Sequence, residues 1–122
     1  MNDFQKFTRQ LDEAFEQKVN GTLSQAVRKV ALAVDRELVN QTPVDTGRAR
    51  ANWIPSVGSP SVKIVEPGEK PDASAEFQTF TLDKTIFLSN NLPYIRRLNE
   101  GHSDQAPAGF VDNAVQKGKN SL

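Results

Sequence analysis

The sequence predicts an α/β fold of the α+β kind, a long N-terminal helix followed by short strands and short additional helices. Three observations predict it. Apolar residues recur at steps of three and four from Phe4 to Leu38, the period of one helix face. Beyond Pro43 and Gly47 the period changes: Ala49, Ala51 and Trp53 alternate with Arg48, Arg50 and Asn52, as on a strand. Later, Ile86-Phe87-Leu88 forms a compact apolar run of the kind a buried strand shows.

The first element spans residues 3–41, with Phe4, Phe7, Leu11, Phe15, Val19, Leu23, Val27, Val30, Val34 and Leu38 on one stripe. Gly21 either divides it, with Thr22 capping a second helix, or sits inside one long helix at a cost of about 1 kcal/mol relative to Ala. Residues 1–20 carry the thinner part of the stripe and read as a helical extension that packs on another subunit. Pro43 ends the helix, because its ring disfavours helical backbone at Thr42. Asp45, Thr46 and Gly47 then make a tight corner, with the Asp carboxylate accepting from backbone N–H groups and Gly free to take positive φ. With Pro43, these residues form the structural corner that turns the helix into a strand over residues 48–57. A second strand is expected over 61–66 and a strand over 84–89; residues 72–82 fit either a short helix, capped by Asp72 or Ser74, or a strand, and the helix is preferred. Asn90 or Asn91 caps a short helix with Pro93 in its first turn and Gly101 closing it. Its inner face is Tyr94, Ile95 and Leu98, while Arg96, Arg97 and Glu100 point outward. A last short helix carries Phe110, Val111, Ala114 and Val115, and residues 117–122 are expected to fray.

At 122 residues the chain fits one domain with a modest core. Only 37% of residues are apolar, and mean hydropathy is −0.54. Loops, or surfaces completed by a neighbouring subunit, therefore take a large share. Fifteen basic residues balance fifteen acidic ones, unlike a free-standing nucleic-acid binder with its cationic excess. The balance is uneven along the chain: Arg48, Arg50 and Lys63 make a mildly basic patch, 69–83 is acidic, and 84–97 is basic again, which suits contact between copies. With no cysteine, disulfides and Cys-based zinc sites are excluded. No apolar run approaches the roughly 20 residues that span a bilayer, and no secretory leader is expected at the N-terminus. The Asn-x-Thr triplets at Asn20 and Asn40 read as chance matches on that view.

Reactive constellations are sparse. His102 is the only histidine, in a polar loop with Ser103 and Asp104. A loop histidine without an apolar pocket reads as a surface or interface group, and His102 with Asp104 offers two ligands where zinc takes three or four. Asp45-Thr46-Gly47 matches the short signature of aspartic proteases, in which a dimer brings two carboxylates together. A helix end and Pro43-Val44 precede it here, where that family has an apolar strand, and the triplet is equally ordinary turn chemistry. The Arg48/Arg50 and Arg96/Arg97 pairs could meet phosphate, as in a small DNA-binding module. Zero net charge favours ion pairing, within the chain or with a neighbour. Trp53 reads as a core residue against the helix stripe.

Two longer stretches carry a family resemblance. One is Gln41-Thr42-Pro43-Val44-Asp45-Thr46-Gly47-Arg48-Ala49-Arg50-Ala51-Asn52-Trp53. The other runs from Ile86-Phe87-Leu88-Ser89 through Asn90-Asn91-Leu92-Pro93-Tyr94-Ile95-Arg96-Arg97-Leu98-Asn99 to Glu100-Gly101, then closes with Ser103 and Gln105-Ala106-Pro107-Ala108-Gly109-Phe110. In this order they resemble the tail-completion and neck proteins of long-tailed bacteriophages, the head–tail joining group akin to the lambda tail component Z. The resemblance covers residues 22–116. The family form often has Glu where Asn99 stands; here the acid is Glu100. The resemblance implies an α/β fold with a small mixed or antiparallel sheet packed by the long helix. It also implies a structural virion protein, not an enzyme and without a cofactor. Such a protein forms a ring of six copies around the DNA path, between the tail terminator and the head connector, and passes DNA without reading its sequence. Its place is the virion, after assembly in the host cytoplasm. On this reading Arg48, Arg50, Arg96, Arg97, Glu100 and His102 face neighbouring subunits or the channel, and Trp53, Tyr94 and Leu98 build the core.

Overall fold

A computed structural model describes residues 2–44, 47–101 and 108–121. Helix α1 runs unbroken over Asp3–Gln41, 39 residues, so Gly21 lies inside one helix. Its start is fixed by a capping box: the Asn2 side chain accepts from the Gln5 N–H, and the Gln5 side chain accepts from the Asn2 N–H. Then follow α2 (Arg48–Ala51), β1 (Ile54–Val57), α3 (Ala73–Phe77), β2 (Ile86–Ser89), α4 (Ile95–Asn99) and α5 (Phe110–Lys119). The two strands pair antiparallel, with Ile54 opposite Ser89 and Val57 opposite Ile86. The α+β expectation of a long helix with a small sheet and short helices holds.

The core forms where the C-terminal half of α1 meets α5 and the strands. Leu38, Trp53, Phe110 and Ala114 are buried together, with Val34, Val39, Leu88, Ile95, Leu98 and Val111 packed around them. Trp53 and Leu98 therefore stand where the sequence placed them. Tyr94 does not: it is half-exposed and caps α4 from outside the buried cluster. Helix α5 extends to Lys119, past the expected fray point at residue 117. Gly118 permits this. A Cβ there would lie 2.7 Å from the Val34 Cα, so only glycine lets the two helix backbones approach so closely.

Three local expectations are corrected. Residues 48–51 form a helical turn, and the strand begins only at Ile54. Ala and Arg are strong helix formers, and Gly47 at φ 73° launches the turn, so the alternation of small and long side chains was not a pleat. Arg48 and Arg50 thus do not share a strand face. Residues 61–66 join no sheet. Val62 is 88% exposed, and the segment is held by side-chain amides in place of a partner strand. Asn52 brackets Val65, accepting from its N–H and donating to its carbonyl, both at 2.8 Å. Asn91 Nδ2 donates to the carbonyls of Ser61 and Lys63. Third, neither Asn90 nor Asn91 caps α4, whose N-cap is Tyr94 with Pro93 just outside the helix. Gly101, at φ 93° after the C-cap Glu100, does close α4 as expected. The short helix expected within 72–82 is α3, capped by the Asp72 carboxylate accepting from the Ser74 N–H.

Candidate functional site

The two motif stretches meet through one hydrogen bond and a shared apolar cluster, and most of their polar groups are spent on backbone close to their own stretch. Thr42, at the end of α1, is almost completely buried. Its hydroxyl donates to the Leu38 carbonyl and accepts from the Trp53 indole N–H at 2.8 Å. Its carbonyl accepts from Arg50 Nε at 2.7 Å, while Arg50 Nη2 donates to the Asn40 carbonyl at 3.2 Å. Arg50 therefore fills the orphan carbonyls at the C-terminus of α1, where a cation also suits the helix dipole. From the later stretch, Asn90 Nδ2 donates to the Ala49 carbonyl at 3.1 Å, while its Oδ1 accepts from the Leu92 N–H. Asn99 Oδ1 accepts from the Val111 N–H at 3.0 Å, and its carbonyl accepts from the Gly109 N–H at 2.7 Å. Asn99 thus answers two N–H groups at the start of α5.

Beside this clasp lies a partly buried ion pair. Lys70 Nζ donates to Asp35 Oδ1 at 2.8 Å and to the Trp53 carbonyl at 2.6 Å. Burial pushes the Asp35 carboxyl above its ordinary 3.8, and the hydrogen bond and charge of Lys70 pull the other way without cancelling it. Farther along α1, Arg28 donates to the carbonyls of Phe77 and Phe80 at 3.0 and 2.7 Å, with its guanidinium 6.0 Å from the Phe80 ring centre. It holds the end of α3 against the long helix.

Of the residues expected at interfaces, Arg96, Arg97 and Glu100 lie exposed on α4. Arg48 is half-buried at the start of α2, and Arg50 is turned inward as described. Pro43 is buried and Gly47 half-buried in the corner. Asp45, Thr46 and His102 lie outside the described residues, as do Ser103 and Asp104. The segments flanking Asp45 are the end of α1 and the start of α2, neither of them a strand. Among the described residues no cluster of three His, Cys, Asp or Glu could hold a metal ion, and no helix is long and apolar enough to cross a membrane.

Sequence reasoning missed Asp35, Lys70, Arg28 and the roles of the asparagines. Asp35 carried a signal, since a carboxylate beside Val34 and Leu38 on the inward side of α1 needs a partner. Lys70, between the strand expected over 61–66 and the segment 72–82, carried none. Comparisons with protein-family models, curated proteins and solved structures gave no match.

Proposed function

We propose that this chain is a structural protein of a tailed-phage virion, completing the tail and joining it to the head as an oligomeric ring around the DNA path. One observation carries the reading. The two stretches that resemble the tail-completion family pack on each other, through the Asn90–Ala49 hydrogen bond and the cluster of Trp53 with Leu88, Leu98 and Phe110, while Thr42, Arg50 and Asn99 tie each stretch internally. Residue types that could have marked a reactive centre act here as clamps on backbone. A part that works by holding a shape under load needs such internal ties, and it needs outward groups to meet its neighbours. Arg96, Arg97 and Glu100 on one short helix supply these, suited to opposite charges on adjacent copies or to non-specific phosphate contact at the channel wall.

The test is genetic. In a phage carrying this gene, a stop codon early in the reading frame is expected to yield filled heads and finished tails that do not join. Arg96→Glu with Arg97→Glu is expected to give the same defect while the purified protein keeps its wild-type circular dichroism. Infectious particles lacking the polypeptide would end the proposal.

A further inference from the structure

The side of α1 that carries Phe7 and Leu11 turns cationic beyond Phe15. Lys18, Lys29 and Arg36 stand on it, all exposed. Eleven residues separate the first two and seven the next, nearly three and two whole turns. The three side chains therefore leave the helix within about 20° of one another, in a row about 27 Å long. Gln25 lies in the same row and is also exposed. The C-terminal part of the row borders a groove of about 500 Å³ between α1 and Ser121. Leu32 and Ala33 floor it, and Arg28, Lys29 and Arg36 line it with no carboxylate among the lining residues. Arg28 spends its N–H groups on the carbonyls of Phe77 and Phe80, which fixes the guanidinium and leaves its charge uncancelled. The two carboxylates of α1 beyond Glu16 turn elsewhere: Asp35 to Lys70, and Glu37 to the side-chain amide of Gln41. Among the described residues, Lys18, Arg28, Lys29 and Arg36 take part in no ion pair.

A long row of one sign suits an anion that repeats its charge. The helix α4 differs, because Glu100 stands beside Arg96 and Arg97, and mixed signs suit a protein neighbour. The centre of a protein interface is apolar, rich in aromatic residues and poor in charge, and from Lys18 to Arg36 the chain holds no aromatic residue. A helix bound on lipid buries an apolar face between its cations. On this stretch the one large apolar side chain in the row is Leu32, half-buried already. Duplex DNA presents a phosphate charge about every 1.7 Å of its axis, and Lys, Arg and Gln are side chains that take phosphate oxygens. We propose that the Lys18–Arg36 face of α1, with the groove at Arg28, binds the phosphate backbone of duplex DNA without reading its sequence. Zero net charge keeps binding by one copy weak, and a ring of copies adds the contacts. The inference rests on the reading of the chain as a ring around DNA. It gives the phosphates to α1 and leaves α4 to neighbouring subunits.

The test is the salt dependence of binding between the full-length chain and a labelled duplex of arbitrary sequence. Three phosphate contacts per copy predict a slope of about −2.7 in log affinity against log salt, a loss of about 40-fold between 50 and 200 mM. Lys18→Gln, Lys29→Gln and Arg36→Gln combined are expected to remove that slope and to lower affinity at 50 mM salt at least tenfold. The melting temperature of this variant should stay that of the wild type, since all three positions are exposed. Arg96→Gln with Arg97→Gln is expected to leave the slope unchanged, and a duplex of different sequence should bind equally. A slope carried by the α4 pair and untouched by the α1 substitutions would overturn the assignment. So would a wild-type chain that ignores DNA at low salt. Tighter binding to polyglutamate than to the duplex would give the face to an acidic protein segment, and binding to phosphatidylserine vesicles without binding to DNA would give it to a membrane; either overturns the proposal. Heads and tails that fail to join without the chain, together with a chain that ignores DNA, would sink this face and spare the virion reading. Infectious particles lacking the chain would end the virion reading, while the salt slope would still decide the phosphate face.

Discussion

At the residue scale, stability concentrates on polar groups that sit inside and are answered there. Trp53 buries its indole, and the N–H must find an acceptor; the Thr42 hydroxyl is that acceptor. Thr42→Val keeps the shape and removes the acceptor. It is expected to cost about 1–3 kcal/mol, read as a melting temperature lower by roughly 5–10 °C. Asp35 gives a pH signature. Its folded pKa is raised above the unfolded value, so its contribution to stability is fully present below about pH 3.8 and is lost as pH rises through the folded pKa. Asp35→Asn does not titrate. The stability of the wild type relative to Asp35→Asn is therefore expected to fall as pH is raised from 3.5 to 7, measured by urea unfolding at each pH. A difference that grows over this range would reverse the assigned sign.

At the scale of elements, the fold depends on how two helices meet and on what replaces a missing strand. α5 docks on α1 through Gly118, and the backbone of Val34 leaves no room for a methyl group. Gly118→Ala is expected to destabilise by about 1–3 kcal/mol through overpacking, visible as early loss of hydrogen-exchange protection in α5. Gly21 is the opposite case. It sits in a helix interior with nothing within 4 Å of the point a Cβ would occupy, and Gly21→Ala is expected to strengthen α1 by about 0.5–1 kcal/mol. Helical ellipticity should rise, most clearly in dilute protein. The apolar stripe made α1 legible as a helix from its sequence, whereas for 72–82 the sequence favoured a helix without excluding a strand, and the Asp72 cap decides it. The second strand was misread because apolar residues at 62, 64 and 65 resemble a pleat, while the pairing groups came from Asn52 and Asn91, 13 and about 30 residues away.

Over the whole molecule, a compact body built from residues 24 onward carries an outlying helix. None of the residues from 2 to 20 is buried, so deleting them is expected to leave the melting temperature within about 2 °C of wild type at concentrations where the chain is monomeric. A larger drop would mean that the extension supports the body.

The sequence alone determined the class of fold, the long helix and its stripe, the corner glycine, the close of α4 at Gly101 and the inward place of Trp53. These follow from local period and from backbone limits that each residue carries with it. Only the tertiary structure decided which polar side chains answer one another: Arg50 with the end of α1, Asn99 with the start of α5, and Lys70 with Asp35, 35 residues apart. A hydrogen bond needs its two groups within about 3 Å, and along an unfolded chain no local pattern records which distant group will arrive.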